Sequence, residues 1–205
     1  MDSYVFDLIE SIVSIGSLTV SIFVFVNTIR KTNKERTLEA SKERYYTFLK
    51  KTDELFRKID PEVYYDELTV IYGANKYSYA DKFTEIRHLI RDTHYLFQEI
   101  LLHKPNNGEV IQIIEKLLKA LENKSTEINT AFCKDIELLN ENKASSIDVN
   151  AISTLLNEYE QFFINAQEFI FEGLSITQKI IFDEPVKTEE YKKQFEEKFK
   201  NEIWV

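Results

Sequence analysis

Apolar residues recur along the chain at intervals of three and four positions, which is the spacing of one face of an α-helix. The pattern predicts a first helix from about Ser3 to about Lys58, and Ile59-Asp60-Pro61 should end it because the residue before a proline disfavours helical backbone. With only 4 glycines and 3 prolines in 205 residues, a turn-rich sheet architecture is disfavoured. Further amphipathic helices are predicted within residues 81–101, 110–121, 128–139, 152–170 and 191–204, with a break expected at Asn123-Lys124-Ser125 and another at Gly173. The fold class is therefore predicted to be all-α.

The first part of the long helix has the composition of a membrane span. Residues Ser11 to Val26 carry no charge, and apolar residues extend the stretch to Val5. Roughly 20 mostly apolar residues cross the hydrocarbon core of a bilayer, a length that Val5 to Ile29 provide. Acidic residues precede the stretch and basic residues follow it, which is the reverse of a cleaved signal peptide. We therefore expect a single transmembrane helix in residues 1–30, with the lipid bilayer as its partner.

Charge is distributed unevenly along the chain. Residues 1–29 carry three acids and no Lys or Arg, whereas residues 30–51 carry eight Lys or Arg against three Glu, a balance of +5. The remaining residues, which bring the total to −9, balance −11. Because basic residues flank the cytoplasmic end of membrane helices, the N-terminus is expected outside and the C-terminal domain in the cytoplasm. The predicted organisation is a transmembrane helix over 1–30, a cytosolic extension of that helix over 31–60 and a helical bundle over 61–205.

The composition disfavours several kinds of binding and catalytic site in the bundle. Its acidic charge disfavours binding of nucleic acid, because a phosphate backbone would be repelled. The single cysteine, Cys133, excludes an intramolecular disulfide and a multi-thiolate metal site. Only three histidines occur, and motifs for zinc proteases, phosphate loops and serine hydrolases do not appear. No cofactor or metal is expected, and an enzymatic role is less expected than a non-enzymatic one.

A polar stripe runs along the predicted membrane helix. Asp7, Ser14 and Ser21 recur every seven residues, and Glu10 and Ser17 occupy the neighbouring positions three residues on. Small hydroxylated residues let helices approach closely within a bilayer, which predicts a homo-oligomer formed through this helix. Intramembrane acids often mark water-filled paths, so a ring of these helices could form a pore with Asp7 and Glu10 at its outer mouth. The alternatives are a closed oligomer without a pore, and a lone anchor whose acids lie in the headgroup region.

Tyrosines are concentrated in residues 62–80, which also contain Gly73 and Asn75. This composition predicts an irregular connector between helices. The tyrosines either pack the connector against the bundle or form a surface for a protein partner, since tyrosine is enriched in interface cores.

One short motif suggests catalysis. Arg87 and His94 lie seven residues apart on a predicted helix and so share a face, where arginine and histidine together could stabilise and protonate groups during RNA cleavage. The stretch Arg87-His88-Leu89-Ile90-Arg91-Asp92-Thr93-His94 resembles the R-x4–6-H motif of the HEPN superfamily, whose members are helical bundles and often dimeric ribonucleases. The resemblance implies a HEPN-like bundle with Arg87 and His94 as catalytic residues. The alternative is that both are semi-buried polar members of the helix face that contains Ile90 and Phe97.

The combination of one span, a helical body and this motif resembles the accessory membrane protein of type VI-B CRISPR systems. That family is understood to form oligomeric pores that assist an RNA-guided nuclease. The segment 155–160 also resembles bacterial membrane-anchored helical domains linked to abortive infection. These resemblances imply a pore-forming effector or accessory factor of anti-phage defence in the bacterial cytoplasmic membrane, with a protein partner from the defence system. A membrane-tethered HEPN-type ribonuclease and a single-span scaffold that recruits a protein partner are the alternative functions.

Overall fold

The computed structural model describes the backbone of residues 2–73, 79–105, 108–141 and 143–200, and the side chains of 23–73, 81–105, 108–141, 143 and 145–200. The described residues form helices and connecting turns without a strand, which confirms the all-α class. The helices are α1 (Asp2–Lys58), α2 (Pro61–Gly73), α3 (Tyr79–Leu102), α4 (Glu109–Asn140), α5 (Val149–Ile181) and α6 (Thr188–Phe199), with a 3₁₀ turn at Ala144–Ser146.

The contacts divide the chain into two units, Met1–Glu43 and Arg44–Val205. In the first unit, every residue from Phe23 to Ala40 is exposed. The second unit begins within α1 rather than at residue 61, where the bundle was expected to start. The reason is burial: the last turns of α1 contribute core residues. These are Tyr45, Phe48, Leu55, Phe56 and Ile59.

The core of the second unit lies between α4 and α5, which also contact α2, α3 and α6. Both helices present an apolar face at helical spacing, and removing that surface from water is the main contribution to the stability of the bundle. Their most deeply buried residues are Ile114, Leu117, Leu121, Ile128, Phe132, Ile136, Leu156, Tyr159, Ala166, Ile170 and Leu174.

Tyrosine hydroxyl groups connect several of these helices. Each of three tyrosines donates a hydrogen bond to a main-chain carbonyl of another helix or helix end, because a buried hydroxyl requires a partner. The pairs are Tyr45 with Leu174 at 3.1 Å, Tyr159 with Ile59 at 2.5 Å, and Tyr191 with Phe169 at 2.9 Å.

The tyrosine-rich segment is regular over its first part. Residues 61–73 form α2, whereas an irregular connector was predicted there. Tyr64 is fully buried and its hydroxyl lies 2.7 Å from that of Ser125. Tyr65 donates to the Glu160 carboxylate at 3.0 Å, and Tyr72 donates to Asp135. Packing against the bundle therefore accounts for these three tyrosines, while residues 74–78 lie outside the described residues.

Two long helices continue through positions where interruptions were expected. The sequence around Ser125 predicted a break, but α4 is a single helix because Ser125 and Asn129 are buried and bonded, with the Asn129 amide donating to the Ser125 carbonyl at 2.9 Å. In α5, Gly173 lies under the ring of Tyr191, where a Cβ would come within 2.9 Å of the ring carbon Cζ. Asp148 caps the start of α5, accepting a hydrogen bond from the Ala151 amide at 3.1 Å.

The predicted membrane span coincides only partly with the described side chains. Its apolar run, Ser11 to Val26, falls mostly on residues 1–22, whose side chains lie outside the described residues. In the part of the chain that is described, no helix combines the length and the apolar composition needed to cross a bilayer.

Candidate functional site

The first candidate is the stretch of α1 from Phe23 to Arg36, here called the boundary segment. Its N-terminal part carries large apolar side chains that are exposed. The exposed fractions are 67% for Phe23, 56% for Val24, 66% for Phe25 and 43% for Ile29. Consecutive large apolar residues with this exposure typically contact a membrane or a protein partner.

The C-terminal part of the boundary segment is basic. Arg30, Lys31, Lys34 and Arg36 are all exposed, and none forms an ion pair within the described residues. Glu35 is the one acid among positions 30–36. The helix therefore changes from apolar to cationic between Ile29 and Arg30, within a single turn.

Hydroxyl groups in and after this segment bond to their own helix. The Thr28 hydroxyl donates to the Val24 carbonyl at 2.8 Å, and the Thr37 hydroxyl donates to the Asn33 carbonyl at 2.8 Å. Such bonds to the carbonyl four residues earlier satisfy a hydroxyl without water, which suits an apolar environment as well as an aqueous one.

The polar stripe predicted for the membrane helix precedes the boundary segment. The backbone of residues 2–22 is helical, so positions seven residues apart share one side of α1. The side chains of Asp7, Glu10, Ser14, Ser17 and Ser21 lie outside the described residues, and their role stays a prediction.

The second candidate is the pair Arg87 and His94 on α3. Both side chains are exposed, so the semi-buried alternative does not describe them. His94 Nδ1 lies 2.8 Å from the Oε1 atom of Glu122 in α4. The Arg87 guanidinium carbon lies 5.6 Å from the centroid of the Phe83 ring.

The arrangement around His94 gives it one feature of an acid–base group. A carboxylate bonded to one ring nitrogen fixes the orientation of an imidazole. Burial and the charge of Glu137 raise the pKa of the Cys133 thiol in α4, and the charge of Arg87 opposes that rise. Arg87 and His94 therefore both interact with residues of α4.

The buried face of α3 is formed by other residues. Ile86, Thr93, Leu96, Phe97 and Ile100 are buried, and Ile90 is only partly buried. At about 100° per residue, Arg87 and His94 lie side by side, next to this buried face.

An open groove of about 470 Å³ lies between α5 and α6. Three carboxylates and one ammonium group form its polar rim, and Lys198 lies 3.9 Å from Glu168 across it. This charge disfavours a phosphate-containing ligand. The lining residues are Glu168, Phe169, Glu172, Gln194, Glu197 and Lys198.

Among the residues with described side chains, no group of three His, Cys, Asp or Glu is arranged to hold a metal ion. Comparison with protein families, with curated proteins and with solved structures finds no match to this chain.

Proposed function

We propose that this protein is a membrane-anchored helical protein that self-assembles through the N-terminal part of α1 and acts as an effector or accessory factor in bacterial anti-phage defence. The observation that carries the anchor is the composition of α1. An uncharged run from Ser11 to Val26 ends in exposed aromatic and aliphatic side chains and is followed at once by four cations. This order is typical of a single-pass helix with its basic end in the cytoplasm.

The self-assembly proposal rests on the polar stripe. Ser14, Ser17 and Ser21 would let two helices approach closely within the bilayer and hydrogen-bond across the contact. Closed rotational symmetry is the usual result of such association. The resemblances to the type VI-B CRISPR accessory family and to abortive-infection proteins support the role in defence and a HEPN-like bundle.

The first experiment is the mass of the full-length protein in mild detergent, measured by light scattering, beside a variant in which Ser14, Ser17 and Ser21 are leucine. A discrete oligomer that the variant loses would support the assembly. A matched control replaces Thr19, Thr37 and Ser41, which lie on the side of α1 opposite the stripe, by leucine and should keep the oligomer. Monomers throughout would reject self-assembly and favour a single-span scaffold for a protein partner.

Pore formation is a further part of the proposal. With Asp7 and Glu10 at the outer mouth, the pore would prefer cations, because rings of carboxylates attract them. Replacing both acids by lysine should shift the reversal potential of the reconstituted protein towards anion selectivity. An unchanged reversal potential would remove Asp7 and Glu10 from the conduction path.

A membrane-tethered ribonuclease is the second candidate, favoured by the contact between His94 and Glu122. In this function His94 would move protons and Arg87 would stabilise the charge on phosphate. RNA cleavage by the purified protein that is lost on replacing Arg87 and His94 by alanine would support it. Cleavage that persists in the double variant would dismiss both residues.

A further inference from the structure

The boundary segment of α1 joins two exposed surfaces of different chemistry. Five of the seven exposed side chains from Phe23 to Ile29 are apolar, and four of the seven from Arg30 to Arg36 are cationic. Neither surface is covered by another part of the first unit. A partner for the whole segment must therefore offer an apolar region and an anionic region side by side.

The charge of the segment is concentrated at this boundary. Positions 30–36 carry four cations against Glu35, whereas positions 37–43 carry Lys42 against Glu39 and Glu43. Lys42 and Glu43 also have interactions within the protein. Positive charge is thus in excess in the two helical turns next to the apolar residues and not in the two turns that follow them.

The depth of the cationic region matches a lipid headgroup layer. At 1.5 Å per residue, Arg30 to Arg36 extend over about 9 Å of helix axis. The headgroup region on one side of a bilayer is roughly 5–8 Å thick. If Ile29 lies at the edge of the hydrocarbon, all four cations lie at or just beyond the level of the phosphates.

The four cations do not all lie on one side of the helix. At about 100° per residue, Arg30, Lys34 and Lys31 occupy one sector of about 100°, and Arg36 faces away from it. A single neighbouring protein surface would contact only one sector. A layer of lipid headgroups reaches all of them.

We propose that the boundary segment binds anionic phospholipids, with Phe23, Val24 and Phe25 in the acyl region and Arg30, Lys31, Lys34 and Arg36 on the phosphates. This inference rests on the proposed membrane anchor and adds the class of lipid. Each cation close to an anionic surface contributes about a fivefold preference. Because the four effects overlap, the segment should prefer anionic over zwitterionic lipid by about tenfold or somewhat less.

The experiment uses the full-length protein in vesicles of phosphatidylcholine, or of phosphatidylcholine with phosphatidylglycerol. Spin-labelled phosphatidylglycerol and phosphatidylcholine report the relative affinity of the two lipids for the protein surface. The test variant carries Arg30, Lys31, Lys34 and Arg36 as glutamine. The control variant removes the same amount of charge from the second unit. In it, four exposed lysines are replaced by glutamine, namely Lys134, Lys187, Lys193 and Lys200.

Wild-type protein and control should prefer phosphatidylglycerol, with a preference that falls as salt is raised, and the test variant should lose most of it. The inference would be overturned if the test variant preferred phosphatidylglycerol as strongly as the wild-type protein does. It would also be overturned if the wild-type protein stayed in the vesicles without any lipid preference. Either result would leave the proposed anchor intact. Extraction of the wild-type protein from both kinds of vesicle by an alkaline wash would reject the anchor and this inference together. Binding of a labelled single-stranded RNA that only the test variant loses, without a lipid preference, would assign the cations to nucleic acid.

Discussion

The hydroxyl of Tyr159 in α5 donates a hydrogen bond to the main-chain carbonyl of Ile59 at 2.5 Å, at the point where α1 has just ended. The last carbonyls of a helix have no partner within it, and Pro61 has no amide hydrogen to offer. A side chain 100 positions further along the chain therefore satisfies the buried end of α1, and it does so from the core of the bundle.

Replacing Tyr159 by phenylalanine should lower the free energy of unfolding by about 1–3 kcal/mol, because a buried acceptor loses its donor while the ring is kept. Thermal unfolding of the full-length protein in mild detergent, followed by circular dichroism, measures the effect. The control is Tyr95→Phe, since Tyr95 is 63% exposed and the loss of its hydroxyl should change little. Equal melting temperatures of the two variants would show that this bond does not stabilise the bundle.

Replacing Gly173 by alanine should destabilise the protein by about 1–3 kcal/mol, the usual cost of an extra carbon in a packed core. The new Cβ would lie 2.9 Å from Tyr191 Cζ and 3.0 Å from Ile114 Cδ1, so α6 would have to shift. The matched control is Gly73→Ala, where nothing lies within 4 Å of the added carbon. Chemical denaturation should separate the variants, and a Gly173→Ala protein as stable as the control would contradict the packing of Tyr191 on α5.

The stability of the bundle should fall in alkali. Burial is the first cause that raises the pKa of Tyr64, Tyr72, Tyr159 and Tyr191 above 10.0 in the folded protein. Above pH 10.0 the unfolded chain releases protons that the folded protein retains. The contribution of these tyrosines to the free energy of unfolding is therefore complete below pH 10.0 and is lost as the pH rises. Each such tyrosine contributes a decline of about 1.4 kcal/mol per pH unit.

Denaturation midpoints measured at several values between neutral and strongly alkaline pH test this dependence. Tyr191→Phe removes one buried titrating group and should make the alkaline decline shallower than in the unmodified protein. A decline of unchanged steepness would mean that Tyr191 titrates as it does in the unfolded chain.

Replacing His94 by alanine should change stability by less than about 1 kcal/mol, because its hydrogen bond with Glu122 lies at the protein surface. The His94 side chain is 59% exposed. Melting temperatures of His94→Ala and of Glu122→Gln should therefore stay near that of the unmodified protein. A loss of RNA cleavage in His94→Ala would then report chemistry, whereas a large drop in melting temperature would reveal a structural role of the pair.

Much of the helical architecture follows from apolar spacing, and the errors have identifiable causes. The stop at Pro61 is correctly predicted because proline removes a hydrogen bond and restricts its neighbour. The break expected in α4 at Ser125 does not occur. Serine at that position signals a helix end only when its side chain bonds locally, and here it meets the hydroxyl of Tyr64 from another helix.

The tyrosines of α2 illustrate the same limit. The spacing of Tyr64, Tyr65 and Tyr72 is compatible with an α-helix, since Tyr65 and Tyr72 are seven residues apart and share one face. The amino-acid composition of the segment, taken alone, favoured an irregular connector. Their hydrogen-bond partners, Ser125, Glu160 and Asp135, are far away in sequence, so no local pattern could identify them.

For the candidate sites, the sequence identified the transition from apolar to basic residues but not the surroundings of His94. The charge order around Ile29 and Arg30 is local and can be read directly from the chain. The partner of His94 is Glu122, on the next helix, and only the antiparallel packing of α3 on α4 brings the two together.

The three hydrogen bonds from Tyr45, Tyr159 and Tyr191 to main-chain carbonyls fix the helices axially. Sliding one helix by a single residue would move its carbonyl by about 1.5 Å, which is enough to break such a bond. Side-chain packing alone tolerates small shear between helices, but these bonds do not. A force applied to one helix of this unit should therefore displace the bundle as a block. Sliding of one helix past another would first require the hydrogen bonds of the tyrosine hydroxyls to break.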